Sequence, residues 1–154
     1  KQVRPSKLDP LTTETYVPSG STALHDAIGA AIEQALSLKN IYGKDTGVLI
    51  SVLTDGEENV SRHISASALG EVIPMLEETE VFTFGILGPK KSLNEMAQVL
   101  KVKSGNMSDY DFSSVQGRTE SITKFSGATA SYASLRSMNL KSTESLYDEG
   151  SSIK

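Results

Sequence analysis

The carboxylate of Asp55 stands where an apolar segment of the sequence ends, and this position suits a ligand site. Asp55 follows the run Val48–Leu53 and Thr54, and Gly56 comes directly after it. An apolar run without alternation, bounded by turn residues, predicts a strand buried on both faces of a parallel sheet. Ligand sites in such sheets lie at the carboxyl ends of the strands. The sequence therefore predicts a candidate cation site around Asp55.

A second loop, Pro18–Thr22, consists of small and hydroxyl-bearing residues and supplies Ser21 and Thr22 just before the first predicted helix. Because both loops are expected at the carboxyl edge of the sheet, they would present hydroxyls and a carboxylate to the same space. Mg²⁺ prefers such oxygen ligands and keeps water or a partner's oxygen in its open positions. Two alternatives stay open, since Thr22 could be only a helix N-cap and Asp55 only a turn residue.

Other polar residues near these loops are expected to have structural roles. Asp26 lies in the first turn of the predicted helix, where a carboxylate interacts favourably with the helix dipole. Glu57 and Glu58 are expected in a solvated loop, because acidic side chains are rarely buried without a partner. His25 and His63 have no partner at metal-ligand spacing and are expected at the surface.

Hydrophobic periodicity predicts four helices that alternate with three strands. Such alternation indicates an α/β fold with a mainly parallel sheet. Pro74 is expected to kink or split the second helix. The predicted helices begin near Ala23, at Ser65 or Ser67, at a capping box Ser92–Glu95 and near Ser114, and the strands are Val48–Leu53, Val81–Leu87 and a weaker one within Val102–Ser108. In the last helix, Ile122, Phe125 and Tyr132 are expected to face the core.

The composition limits the classes of function. The 154 residues suit one domain, which we place at 18–138, after an extended lead-in (1–17) and before a mobile polar tail (139–154). The net charge of −4 argues against nucleic acid as a partner, and no apolar stretch reaches the length of a membrane span. The absence of Cys excludes disulfides, zinc–thiolate sites and thiol nucleophiles.

The spacing Pro18-x-Gly20-x-Thr22-x-Leu24-x-Asp26-Ala27, followed by the apolar run and Thr54-Asp55-Gly56, resembles the von Willebrand factor A (VWA) domain. In that family a metal-ion-dependent adhesion site lies on a Rossmann-like sheet, and three loops supply its ligands. By motif, Thr22 matches the threonine of the second loop and Asp55 the aspartate of the third. The longer pattern, with Glu57-Glu58-Asn59 and FTFGILG, is most similar to bacterial and phage intracellular members, which implies a cytoplasmic location.

One ligand loop of the family, Asp-x-Ser-x-Ser, occurs nowhere in this chain. The resemblance covers roughly Tyr16–Met138 and corresponds to the second half of the family's domain, which implies a sheet that this chain does not complete. Val48–Leu53 would then form an apolar edge, and we expect another chain or an upstream segment to cover it. Mg²⁺ is accordingly expected only where an upstream Asp-x-Ser-x-Ser loop completes the ligand set.

The resemblance implies a non-enzymatic protein-interaction module whose bound cation accepts an acidic residue of a protein partner. Ser21, Gly56 and Glu57 are the residues expected to contact that partner. A metal-free, degenerate VWA-like subunit with a structural or assembly role is the alternative. A Mg²⁺-dependent phosphohydrolase using Asp55 is less favoured, because such enzymes place two or three carboxylates around the metal and Asp55 is not followed by a second Asp at nucleophile spacing.

Overall fold

In the part of the chain that the structure describes, three parallel strands form a sheet in the spatial order β1 (Val48–Leu53), β2 (Phe82–Gly88) and β3 (Met107–Asp109). The structure, a computed structural model, describes residues 9–10, 12–15, 21–42, 46–54, 58, 60–111, 113–140 and 145–147, with the backbone alone for 39–42. Within these residues, four α-helices flank the sheet: α1 (Leu24–Tyr42), α2 (Ala66–Glu78), α3 (Lys90–Leu100) and α4 (Val115–Ser137). The predicted α/β class and the order of elements are confirmed. None of the helices that the structure describes is long and apolar enough to cross a membrane.

One face of the sheet is covered by α1, α2 and α3. Because side chains alternate along a strand, Phe82, Phe84 and Ile86 of β2 all point to this face, where they meet Ile50 of β1. The two phenylalanine rings stack with centroids 6.4 Å apart. Each such buried side chain stabilises the fold by about 1.5–3 kcal/mol. The helices contribute Leu24, Ile28, Ile32, Leu69, Ile73, Leu93, Met96 and Leu100 to this core.

The opposite face is covered by α4 and by a short segment near the end of the chain. Leu87 of β2 packs there with Ala128 and Tyr147. The helix is fixed near its end by Arg136, whose Nη2 donates to the carbonyls of Glu80 (2.5 Å) and Val81 (3.2 Å) just before β2. Since α4 starts after β3 and ends beside the start of β2, it runs back along the sheet from its carboxyl edge to its amino edge.

Residues 145–147 lie within the stretch predicted as a polar tail, yet they pack on the sheet. The Leu146 N–H donates to Asn106 Oδ1 (2.9 Å), and the Tyr147 N–H donates to the Gly105 carbonyl (3.0 Å). Gly85 makes room for them, because a Cβ at that position would lie 2.5 Å from Leu146 Cδ2. Tyr147 is consequently buried.

Several local predictions are wrong, for identifiable reasons. The helix α3 begins at Lys90 after Pro89, so Ser92 lies buried inside the helix and forms no capping box. Pro89 already has a φ that suits a helix start, which moves the beginning upstream. Of the two predicted effects of Pro74, the split of α2 does not occur, since the helix is continuous from Ala66 to Glu78; the kink stays a prediction. Ile122, expected in the core, is 59% exposed because it lies outside the buried stripe of α4, which is formed by Gly117, Ser121, Ala128 and Tyr132.

The strand β1 has the predicted bounds but not the predicted burial on both faces. Only Ile50 is fully buried, and Leu53 is 51% exposed. The reason is its position: β1 lies at the edge of the sheet, and no other strand among the described residues pairs with its outer side. The central strand β2, by contrast, is buried along its whole length.

Candidate functional site

Hydrogen bonds connect the carboxyl ends of all three strands. The Thr54 N–H donates to the Leu87 carbonyl (3.0 Å), and the Tyr110 hydroxyl donates to the Thr54 carbonyl (2.5 Å). Tyr110, which follows β3, also donates its N–H to the Gly88 carbonyl (3.3 Å). Thr54 is buried, and these hydrogen bonds fix the position of the backbone where β1 ends.

Thr22 lies two residues before α1, and Ser21 beside it is exposed. The Ala23 carbonyl accepts the first helical hydrogen bond, from the Ala27 N–H (3.0 Å). Ala23 therefore occupies the N-cap position, and the alternative role of Thr22 as N-cap is wrong. Alanine has no side-chain acceptor, so the first N–H groups of α1 need a partner from elsewhere.

Glu58, from the loop between β1 and α2, supplies that partner. Its Oε2 accepts from the His25 N–H (2.9 Å) and from the Ser61 hydroxyl (2.6 Å), while Oε1 accepts from the N–H groups of Val60 (2.8 Å) and Ser61 (2.6 Å). Burial raises the pKa of Glu58, but these hydrogen bonds outweigh it and lower the pKa from 4.5 to about 2. The expectation of a solvated Glu58 is wrong, because its side chain is only 17% exposed.

Asp26 makes the reverse connection, from α1 back to the same loop. Its Oδ2 accepts from the Arg62 N–H (2.9 Å), and its Oδ1 accepts from the N–H groups of His63 (2.9 Å) and Ile64 (3.0 Å). The Arg62 N–H lowers the pKa of Asp26 most, against a smaller effect of burial in the other direction. The Asp26 N–H in turn donates to the Ser61 hydroxyl oxygen (3.1 Å). Asp26, Glu58 and Ser61 are termed the α1 clamp below.

The α1 clamp joins the start of α1 to residues 58–64, which follow β1 in the chain. Thr22 lies three residues before His25, which the clamp holds, and Asp55 lies three residues before Glu58. Asp55 itself, with Gly56 and Glu57, lies outside the described residues. Its neighbours in the chain, Thr54 and Glu58, are both fixed by hydrogen bonds.

The two histidines, His25 and His63, differ in their exposure to solvent. His25 is only 16% exposed, and its Nδ1 lies 3.9 Å from Glu58 Oε2, so it is not a surface residue. It borders a cleft of about 200 Å³ together with Glu58, Glu95 and Met96. His63 is exposed, as expected.

A second cleft, of about 600 Å³, opens between the end of β3 and α4, where no site was predicted from the sequence. Asp109, Asp111, Glu120 and Lys124 line it. The signal that could have found it is the Asp109-Tyr110-Asp111 spacing directly after a strand. Asp111 is engaged locally: its Oδ1 accepts from the Ser113 hydroxyl and N–H, and the hydroxyl bond lowers the pKa of Asp111 most. It therefore orders the turn into α4.

The described residues contain no group of three or more His, Cys, Asp or Glu side chains that could hold a metal ion. Thr22 could contribute one oxygen ligand, and a complete site would need carboxylates from outside the described residues.

In comparisons with family models, with curated proteins and with solved structures, nothing matches this chain. The fold itself is an α/β arrangement compatible with the Rossmann-like class, since a parallel sheet carries helices on both faces.

Proposed function

We propose that this chain is a non-enzymatic protein-interaction module of the VWA type. Thr22 and Asp55 bind Mg²⁺ where an upstream Asp-x-Ser-x-Ser loop supplies the remaining ligands. The observation that supports this proposal is the attachment of the start of α1 to the loop after β1, through the bond from the His25 N–H to Glu58 Oε2 (2.9 Å). This bond attaches the start of α1, three residues after Thr22, to Glu58, three residues after Asp55. Ligand sites in parallel sheets are found at the carboxyl ends of the strands, and the candidate ligands follow such an end in the sequence.

The chemistry of the proposed interaction follows from the ligand types. Thr22 and Asp55 supply one hydroxyl and one carboxylate, and with the ligands of the upstream loop the Mg²⁺ ion keeps an open position for a further oxygen. An acidic side chain of a protein partner fills this position, and Ser21, Gly56 and Glu57 contact the partner around it. Affinity then depends both on the cation and on the partner's carboxylate. The proposed location, the cytoplasm of a bacterium or phage-infected cell, follows from the resemblance alone.

Partner binding by the full-length protein tests the proposal. We expect a chelator to weaken binding, excess Mg²⁺ to restore it, and Asp55→Ala to copy the effect of the chelator. Asp9→Ala, which removes an exposed carboxylate from the region before α1, is the matched control. Binding that is unchanged both by the chelator and by Asp55→Ala would rule out the adhesion mechanism.

A second candidate function is that of a metal-free structural subunit that assembles through β1. The edge position of β1 favours it, because five of the six residues of the strand are apolar, Ser51 being the exception, and none is a Lys, Pro or acidic residue that would discourage pairing. An experimental map of the assembled protein distinguishes the two candidates. Density for a strand of another chain beside β1, with no ion at Asp55, would favour the assembly role.

A further inference from the structure

We propose that two copies of this chain pair through β1 in antiparallel orientation, with Ser51 on the two-fold axis of the dimer. The inference rests on the second proposed function, assembly through β1, and specifies the partner, the symmetry and the register. It starts from the edge of the sheet, because among the described residues no strand pairs with the outer side of β1. Such an edge presents backbone N–H and carbonyl groups to a further strand.

The pairing of β1 with β2 identifies the backbone groups of β1 that point outward. The Val48 N–H donates to the Val81 carbonyl (2.8 Å), at the start of the parallel register between the two strands. Successive residues of a strand direct their N–H and carbonyl groups to opposite sides, so the even-numbered residues of β1 bond to β2. The residues that direct these groups to the outer side are therefore Leu49, Ser51 and Leu53.

The side chains of β1 are arranged almost symmetrically about Ser51. The segment Leu49-Ile50-Ser51-Val52-Leu53 has leucine at both ends and a β-branched residue on each side of the serine. In an antiparallel dimer, Leu49 lies opposite Leu53 of the partner subunit, Ile50 lies opposite Val52 of the partner subunit, and Ser51 lies opposite its own copy. Side chains of matching character thus meet on the same face, which stabilises cross-strand pairs. Leu53, 51% exposed in the single chain, is covered by such a pair.

The backbone pattern and the side-chain symmetry share one centre, and this coincidence favours a second copy as the partner. Ser51 has outward backbone groups, so a two-fold axis through it lets the two serines exchange a pair of hydrogen bonds. The same axis lets Leu49 and Leu53 of the partner subunit exchange a further pair. A register shifted by one residue would place outward groups opposite residues that already bond to β2, and the ladder would be lost.

The geometry of the sheet closes the assembly at two copies. A two-fold axis perpendicular to the sheet reverses the strand direction and keeps α1, α2 and α3 of both copies on one face. The strands then follow the order β3-β2-β1-β1-β2-β3. The other edge strand among the described residues, β3, has only three residues and includes Asp109, and both features discourage further pairing.

Hydrogen exchange of the wild-type chain tests whether the outer side of β1 is paired. The amides of Ile50 and Val52 bond to β2 and should exchange slowly at every protein concentration. The amides of Leu49, Ser51 and Leu53 should be protected at high concentration and exchange about tenfold faster on dilution to the monomer. Protection of these three at every concentration would mean that the same chain covers the edge, and protection at none would mean that β1 stays unpaired. Either result overturns the proposal.

Nuclear Overhauser effects in mixed dimers of isotope-labelled and unlabelled chain determine the register. Opposite residues that exchange no hydrogen bonds have Cα atoms about 4.5 Å apart in an antiparallel pair. We therefore expect a cross-peak between Ile50 Hα and the Hα of Val52 of the partner subunit. Contacts between copies that show a parallel or shifted register, or that involve other elements instead of β1, would overturn the proposal even if the chain dimerises.

Two substitutions at the axis form a matched pair. Ser51→Pro and Ser51→Ala both remove the hydroxyl, but only proline removes the outward N–H. We expect Ser51→Pro to weaken dimerisation about tenfold or more in sedimentation, and Ser51→Ala less than about threefold. Leu53→Lys places a charge opposite Leu49 of the partner subunit and should weaken dimerisation even if Ser51→Pro does not fold. Equal dimerisation of wild type and both Ser51→Pro and Leu53→Lys would contradict the proposed interface.

These outcomes separate the inference from the proposed functions. A wild-type chain that stays monomeric removes the assembly function together with the inference, whereas a dimer with a different register removes the inference alone. The adhesion proposal is tested independently, by the effect of the chelator on partner binding.

Discussion

Gly117 and Gly127 lie on the same helix, yet the structure gives them opposite roles. A Cβ at Gly117 would lie 2.2 Å from the Asp111 carbonyl oxygen, whereas a Cβ at Gly127 would meet nothing within 4 Å. We expect Gly117→Ala to lower the free energy of unfolding by about 1–3 kcal/mol through overpacking against the backbone. Gly127→Ala should raise it by about 0.5–1 kcal/mol, because alanine is the better helix former. Denaturant unfolding of both variants measures the difference, and equal effects would contradict the close approach of α4 to Asp111.

Glu58 should make the stability of the protein depend on acid pH. Its pKa is about 2 in the folded protein and near 4.5 when the chain is unfolded. A lowered pKa in the folded state means that the contribution is complete above pH 4.5 and is lost as the pH falls towards 2. Unfolding measured across this range should show a smaller pH dependence in Glu58→Gln than in the wild type. Glu71→Gln, which changes an exposed acid, is the control, and an equal reduction in both variants would argue against the bonds to Glu58.

The strand β1 presents an apolar, uncharged edge, and we expect the chain on its own to self-associate through it. Leu53 is 51% exposed at the end of this strand. A lysine on an edge strand discourages strand pairing, so Leu53→Lys should shift sedimentation towards the monomer with little effect on folding. Ile122→Lys, at an equally exposed position on α4, is the matched control. Association that responds to Ile122→Lys and not to Leu53→Lys would locate the contact on the helix instead.

Regular elements were predictable from the sequence where local chemistry decides them. The bounds of β1 were predicted from its apolar run. Ser65, one of two predicted starts of α2, and Ser114, near which α4 was predicted to begin, are the N-caps of these helices, because capping hydroxyls act over a few residues. The α1 clamp could not be predicted in the same way. Asp26 was expected to interact only with its own helix and Glu58 only with water, whereas their partners lie in segments far apart in the chain. The burial of Tyr147 was missed for the same reason.

Residues 145–147, the last that the structure describes, cover part of the sheet face on which α4 packs. Tyr147 is 6% exposed and packs on Gly85, and burial raises its pKa from 10.0 to about 12. We expect Tyr147→Ala to cost about 3 kcal/mol of stability, by loss of buried aromatic area and formation of a cavity. Tyr147→Phe should be nearly as stable as the wild type at neutral pH. Equal unfolding of Tyr147→Ala and the wild type would show that this segment does not contribute to the fold.

The raised pKa of Tyr147 predicts that both stability and tyrosinate absorbance change at alkaline pH. Because the folded protein holds the phenolic proton more tightly than the unfolded chain, its contribution to stability is present below pH 10 and is lost as the pH rises towards 12. Tyrosinate absorbance should therefore include a late step that belongs to Tyr147. This late step should be absent in Tyr147→Phe, and a wild-type titration with no late step would contradict the burial.

The most direct test of the adhesion proposal is to locate a bound cation in the full-length protein. Substoichiometric Mn²⁺ can replace Mg²⁺ and broadens the amide signals of nearby residues. We predict broadening that is concentrated at Ser21, Thr22 and Glu58 and is abolished by Asp55→Ala. Broadening that centres instead on the cleft of Asp109 and Glu120, or that Asp55→Ala leaves unchanged, would contradict a cation site between the two loops.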